Sequence, residues 1–214
     1  GETQIEVDRR IIRKKISLLK KKLKSIDSER RVQSKKRKSF FRTSFVGYTN
    51  VGKSSLMKSV TKSDVLIRNQ LFATLDTTVR RLFIGNNNYV LLSDTVGFIR
   101  NLPDNLIASF KSTLQEVVDS DLLLIVLDAN SKDLFNEIET IKSVLKEINA
   151  NEIDYKYVFN KIDLVDPDKI SYLKQSFPDS LMVSATRSLQ VSDIKDTIAE
   201  KYEEWVSALK NPLH

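Results

Sequence analysis

Apolar residues along this chain fall into short runs separated by polar stretches. Residues 41–46, F-R-T-S-F-V, predict a short buried strand. Residues 121–128, D-L-L-L-I-V-L-D, are almost continuously apolar, as expected of a parallel strand covered on both faces. Residues 80–85 and 88–93 predict a hairpin around Asn86-Asn87. Residues 155–159 and 180–183 predict two further strands. Helical runs follow at 55–60, at 131–149 and at 190–209, the last carrying Ile194, Ile198, Tyr202, Trp205 and Leu209 at helical spacing. Strands alternating with helices predict an α/β domain: a mostly parallel sheet of six strands with helices on both faces. The longest purely apolar run, 122–127, has six residues and is too short to span a bilayer.

The first forty residues follow a different pattern. Ile12, Ile16, Leu19, Leu23 and Ile26 repeat with spacing 4-3-4-3, a coiled-coil-type seam, and Arg and Lys fill the other faces. Asp27 or Ser28 is placed to cap a second helix carrying Arg30, Arg31, Lys35, Lys36, Arg37 and Lys38, which together predicts a basic α-helical hairpin. Charge marks the same break. Residues 1–43 carry a net +11 and residues 44–214 a net −4, within a total of +7. The expected division is therefore a basic hairpin or linker at 1–41 and a second domain at 42–210. The basic part suits polyphosphate, with RNA the expected partner and DNA not expected; a solvated helical arm is the plainer alternative. An opening Gly1 in place of Met is expected of an excised fragment.

Composition narrows the chemistry. With no cysteine and a single histidine, His214, the chain has no disulfide framework, thiol nucleophile, zinc ribbon or Ser-His-Asp triad to offer. Cytoplasmic location is the default expectation in the absence of a signal-peptide pattern. A monomer is the expected oligomeric state.

The positive chemistry begins directly after the first predicted strand. Gly47-Tyr48-Thr49-Asn50-Val51-Gly52-Lys53-Ser54 matches G-x-x-x-x-G-K-[ST] in the strand–loop–helix setting that gives this pattern meaning. Its glycines let backbone N–H groups turn inward around phosphates, and the following helix N-terminus adds favourable dipole charge. Gly47, Asn50, Val51, Gly52, Lys53, Ser54 and Ser55 are the candidate phosphate-loop contacts. Lys53 is placed to reach the β- and γ-phosphates, and the Ser54 hydroxyl to bind Mg²⁺. Asp94-Thr95-Val96-Gly97 closes a later strand forty-one residues after Lys53. Asp94 there can hold Mg²⁺ through water, and the Gly97 N–H can meet the γ-phosphate. The polar stretch 63–79 between them offers Thr74, Thr77 and Thr78 as candidates for a switch hydroxyl that closes over the metal.

The base is chosen by Asn160-Lys161-Ile162-Asp163, at the end of the strand predicted at 155–159. The Asp163 carboxylate can accept two hydrogen bonds from guanine N1–H and its 2-amino group, and adenine presents no such pair. Lys161 can lie along the purine face, and Asn160 can tie this loop to the phosphate loop. Backbone amides at Ser184 and Ala185, after the last strand, are candidates for guanine O6. GTP and GDP are therefore the expected ligands, and an ATP-dependent kinase requires setting N-K-I-D aside.

The ordered motifs resemble the translation-factor-related P-loop GTPases and, more narrowly, the HflX family. The resemblance is carried by G-Y-T-N-V-G-K-S-S, L-F-A-T-L-D-T-T, D-T-V-G-F-I-R-N-L-P and N-K-I-D, with the opening G-E-T-Q-I-E-V-D-R-R similar to the family's lead-in to a helical linker; it covers residues 1–186. It implies a Ras-like domain, GTP hydrolysis, action on the large ribosomal subunit and its rRNA in splitting or rescue of ribosomes, and an N-terminal domain mostly absent here. By the F-A-T-L match, Thr74 is favoured as the γ-phosphate and Mg²⁺ sensor, with Thr78 second. The chain departs from the family where Thr77 replaces a proline and Val79 a threonine. Asn50 is similar to an asparagine of potassium-activated relatives, which makes K⁺ a candidate activator; a turn conformation alone also favours Asn there.

Phe98 stands where Ras-type enzymes place a water-orienting Gln and cannot hydrogen-bond the attacking water. Unassisted turnover is accordingly expected to be slow, ~10⁻⁴ to 10⁻³ s⁻¹. Two functions remain in view: a GTPase switch, or a nucleotide-gated RNA- or ribosome-binding module in which hydrolysis is incidental.

Overall fold

The computed structural model describes residues 9–18, 40–61, 78–95, 97 and 114–210. The chain divides into two compact units, Gly1–Ser39 and Phe40–His214. Of the first unit the structure describes one helix, α1 (9–18), which carries Ile11, Ile12, Ile16 and Leu18 with roughly half their surface exposed. Leu19, Leu23, Ile26 and the second helix expected of the basic hairpin lie outside the described residues.

The second unit is built on a six-stranded sheet. Its strands are β1 (Arg42–Val46), β2 (Thr78–Gly85), β3 (Asn88–Asp94), β4 (Leu122–Asp128), β5 (Asp154–Asn160) and β6 (Leu181–Met182). They lie in the order β2-β3-β1-β4-β5-β6, every neighbouring pair parallel except β2 with β3. The helices are α2 (Lys53–Thr61), the short α3 (Gln115–Val118), α4 (Leu134–Glu147), α5 (Pro167–Ser176) and α6 (Ser192–Lys210). The α/β class and the mostly parallel sheet of six strands agree with the pattern of the sequence.

The chain leaves β1 toward β3 through α2, and later crosses back over β1 toward β4, β5 and β6. Right-handed crossovers running in opposite directions put their helices on opposite faces. α2 and the terminal helix α6 pack against each other, and both touch β2. β4, bracketed by β1 and β5, has Leu122 through Leu127 all buried, which only a sheet covered on both faces achieves. Phe45, Leu56, Met57, Leu92, Phe159 and Leu173 join these residues in one core. Fully burying a side chain of this kind contributes about 1.5–3 kcal/mol.

Local chemistry explains the ends of the elements. Asn86 and Asn87 take φ of 48° and 58°, the left-handed pair that a two-residue hairpin turn requires. Thr78 and Val79, placed by their sequence in the polar switch stretch, instead open β2, with Thr78 opposite Asp94 and Val79 opposite Ser93. Their β-branched side chains suit a pleated strand paired along β3. α4 is shorter than its periodicity suggests, because Asn130 and Ser131 are held in a turn on Asp128. α5 is an addition to the expected elements: Asp166 caps it by accepting from the Lys169 N–H at 2.7 Å, and Pro167 occupies its first turn. In α6, Ile194 and Ile198 are fully buried, and Tyr202 and Trp205 stack edge-on to Phe41 at 6.1 and 5.7 Å, so these aromatics belong to the packing of the domain. Leu209 is exposed, so the core-facing stripe stops one turn before the helix does.

Candidate functional site

β1 has outward connections on both sides, which makes the carboxyl ends of β1, β3, β4, β5 and β6 the place where loops diverge and a crevice opens. The motif residues gather there. Gly47 follows β1 at φ 153°, and a Cβ on it would stand 2.2 Å from the Val126 carbonyl oxygen, so only glycine lets the loop leave the strand beside β4. Asn50 takes φ 63°, a left-handed turn position that asparagine tolerates. Gly52, at φ 100°, sits where a Cβ would be 2.2 Å from Asn160 Nδ2.

Lys53 starts α2 and is buried, with Nζ donating to the Gly47 and Tyr48 carbonyls at 3.0 and 2.8 Å. The ammonium therefore lies folded within the loop whose backbone it bridges. Burial pulls its pKa down to about 8, against the nearby Asp94 charge, which favours the protonated form. Ser54 Oγ donates to Asp94 Oδ2 at 2.6 Å. The first loop is thus joined to the end of β3 by a hydroxyl and a carboxylate, a hard-oxygen pair of the kind Mg²⁺ takes alongside phosphates and water. Among the described residues no three His, Cys, Asp or Glu side chains converge on a possible metal position, so an all-protein metal cage does not arise there. Thr95 Oγ1 donates to the Phe45 carbonyl at 2.7 Å, anchoring the D-x-x-G segment onto β1. Gly97 follows closely over the phosphate loop: a Cβ on it would lie 2.7 Å from the Thr49 amide nitrogen and 2.8 Å from Lys53 Nζ. Thr74, Thr77 and Phe98 lie outside the described residues.

The opposite wall is organised by Asn160, only 2% exposed. Its Nδ2 donates to the Val51 carbonyl at 2.8 Å, and its Oδ1 accepts from the Ala185 N–H at 3.0 Å. One amide side chain thereby joins the phosphate loop, the end of β5 and the loop after β6. Ser59 Oγ of α2 adds a bond to the Ala185 carbonyl at 3.3 Å. Lys161 turns the chain with φ 65°, and its Nζ meets Asp128 Oδ2 at 2.7 Å. Asp163 lies on the exposed 3₁₀ turn Ile162–Leu164 that follows.

The loop after β6 is closed by bonds within the chain. The Ser184 N–H donates to the Leu189 carbonyl at 3.0 Å and the Ala185 N–H to Asn160, so both amides expected at guanine O6 are committed within the chain. Ala185 buttresses Asn160, while Ser184 ties the loop to Leu189. Two residues with no role in the sequence reading join the site. Asp128 holds Lys161, and its signal was an acidic residue at the carboxyl end of a buried parallel strand, the same signal that marks Asp94. Thr95 was visible only as the unassigned second residue of D-x-x-G.

The comparisons with known proteins fit this geometry. Residues 42–161 match the family model of the 50S ribosome-binding GTPases, and residues 1–37 match the GTP-binding GTPase middle region. GTPase HflX of Flavobacterium psychrophilum is 53% identical over 163 residues, 76% of this chain and 39% of that protein. GTPase HflX of Gluconacetobacter diazotrophicus is 42% identical across 95% of this chain and 45% of that protein. This chain belongs to the HflX family of GTPases. It spans about two fifths to half the length of these HflX relatives. Among solved structures, a GTP-binding protein of Sulfolobus solfataricus in complex with GDP superposes with a TM-score of 0.65 at 27% identity, covering 92% of this chain and 60% of that one. The family-model match over 42–161 takes in the phosphate loop, the Asp94 segment and the first two residues of N-K-I-D.

Proposed function

We propose that the chain is the catalytic part of a Mg²⁺-dependent GTPase that hydrolyses GTP to GDP and phosphate as a conformational switch on the large ribosomal subunit. The observation that carries this reading is Asn160. It binds the phosphate loop and the loop after β6 in one step, so a base held at Asp163 and a phosphate tail held at Lys53 share one rigid frame.

In this reading Gly47, Asn50, Val51, Gly52, Lys53, Ser54 and Ser55 line the phosphates. Lys53 gives up its two carbonyl partners to the β- and γ-phosphates, and its ammonium regains full charge beside them. Ser54 and Asp94, already adjacent, supply oxygen for the metal, with Thr74 as the closing hydroxyl. When bound, Mg²⁺ neutralises charge developing on the β- and γ-oxygens. Water attacks the γ-phosphorus, the bond to the β–γ bridging oxygen breaks, and the water's proton ends on the phosphate or the solvent. Gly97, close over Thr49 and Lys53, senses loss of the γ-phosphate. Asp163 reads guanine N1–H and the 2-amino group, while Lys161, held by Asp128, covers the purine face. Asn50 already has a backbone reason to be asparagine, so a K⁺ role rests on family likeness alone.

The family model's description, 50S ribosome-binding GTPase, supports the choice of partner. GTP turnover measured with and without large ribosomal subunits, in sodium and in potassium, tests the proposal. Stimulation of at least tenfold by the subunits supports a switch. Unchanged slow turnover favours the nucleotide-gated binding module, and equal rates in the two salts remove K⁺ from the account.

A further inference from the structure

The β2–β3 hairpin forms one edge of the sheet, with β2 paired only to β3 among the described residues. On one of its faces Leu82 and Val90, opposite each other in register, are buried at 3% and 0% exposure. On the other face the next rung is Phe83 opposite Tyr89, with ring centroids 5.2 Å apart and exposures of 44% and 46%. Two large rings in tilted contact, their planes 52° apart, and left half open to water form a platform that the core does not use.

Cations interleave with this platform. Lys195 of α6 places Nζ 5.6 Å from the Phe83 ring centre. Arg81 shares the face of Phe83 by strand alternation, and its guanidinium lies 5.8 Å from the ring centre of Phe40. Among the described residues neither of these two cations is in an ion pair. They stand out because residues 44–214 as a whole carry a net negative charge. Rings with a face to offer and cations free to meet phosphate are the pairing that binds unpaired bases on a charged backbone.

We infer that the Phe83–Tyr89 face of the β2–β3 hairpin, with Arg81 and Lys195, is a docking surface for unpaired bases of RNA. The surface is separate from the nucleotide crevice. Tyr89 is the second residue of β3 and Asp94 closes it, five residues and about 16 Å of strand away. The inference deepens the proposed function, because it names where this domain meets the RNA of the large subunit, and it rests on that reading for its physiological partner.

The test uses the full chain with two probes: purified large ribosomal subunits and an unstructured twelve-nucleotide oligoribonucleotide carrying a fluorophore. Phe83→Ala with Tyr89→Ala is expected to weaken binding to both probes by about tenfold or more, the loss of one or two stacked bases. Phe83→Tyr with Tyr89→Phe is expected to restore it. Arg81→Gln with Lys195→Gln is expected to lower the slope of log affinity against log salt by about 1.4, two phosphates at 0.7 each. GDP affinity, equal to wild type in every variant, verifies folding.

Wild-type RNA affinity and salt slope in these variants would overturn the inference. So would variants that lose large-subunit binding but hold the oligonucleotide normally, since the face would then meet a protein. If the unmodified chain binds the oligonucleotide through these residues but never binds large subunits, the surface stands and the ribosomal reading falls.

Discussion

Replacing Asn160 with Ala tests the frame on which the site is built. The side chain is buried and makes two bonds, 2.8 Å to the Val51 carbonyl and 3.0 Å from the Ala185 N–H. Val51 and Ala185 are themselves only 4% and 8% exposed, so truncation leaves a buried acceptor and a buried donor with little access to water. Each such orphan costs about 1–3 kcal/mol. Allowing for some water entering the space, the expected loss is about 2–5 kcal/mol, inside the 5–15 kcal/mol that a domain of this kind commands. The variant should fold and melt about 5–15 °C lower. It should also bind GDP at least tenfold more weakly, because the loops holding phosphate and base are no longer fixed to each other. Urea unfolding without nucleotide gives the first quantity and titration with a fluorescent GDP analogue the second. A midpoint within about 0.5 kcal/mol of wild type together with an unchanged GDP constant would refute the reasoning. Asn160→Asp adds a check of sign. A protonated carboxyl can still donate to the Val51 carbonyl and an ionised one cannot, so this variant should recover stability relative to wild type as pH falls.

Three further outcomes follow from the same geometry. Gly47→Ala forces a methyl against the Val126 carbonyl at 2.2 Å and should abolish measurable GDP binding while lowering the thermal midpoint, as followed by calorimetry. Gly97→Ala pushes on Thr49 and Lys53, so GTP turnover should fall at least tenfold while GDP affinity stays within about threefold in a paired kinetic and binding assay. Lys201 donates to Glu204 at 2.8 Å and pairs with Asp154 at 2.9 Å, and these partners hold its pKa above the usual lysine range. A raised lysine pKa stabilises the fold below the unfolded value, and that contribution is lost as pH rises through the folded value. Lys201→Gln should therefore cost less than about 1 kcal/mol near neutrality, since both carboxylates are more than half exposed, and nothing at strongly alkaline pH in urea titrations.

Much of this architecture was legible in the sequence because its signals are local. The apolar run of β4, the Asn86-Asn87 turn and the phosphate-loop pattern each depend on neighbouring residues, and each appears where it was read. α5 was missed although Asp166-Pro167 is a helix start. Leu173 is its one fully buried residue, so its apolar periodicity is faint. β6 is only two residues long, too short for alternation to register. The commitments of the Ser184 and Ala185 amides depend on Leu189 and on Asn160, twenty-five residues upstream of Ala185. No pattern of spacing shows which of several possible partners an N–H will take. Asp128 was hidden differently: its chemistry was plain, but its partner Lys161 lies thirty-three residues away and is brought to it only by the β4–β5 pairing.

The central claim is that one crevice holds a triphosphate by its tail and reads guanine with Asp163. Competitive binding of GTP, ATP and XTP to the wild type and to Asp163→Asn addresses it most directly. The wild type is expected to prefer GTP over ATP by at least about a hundredfold, and the variant to lose guanine and gain xanthine, whose 2-oxo group accepts from the new amide. Equal affinity for GTP and ATP in the wild type, or an unaltered order of preference in the variant, would contradict it.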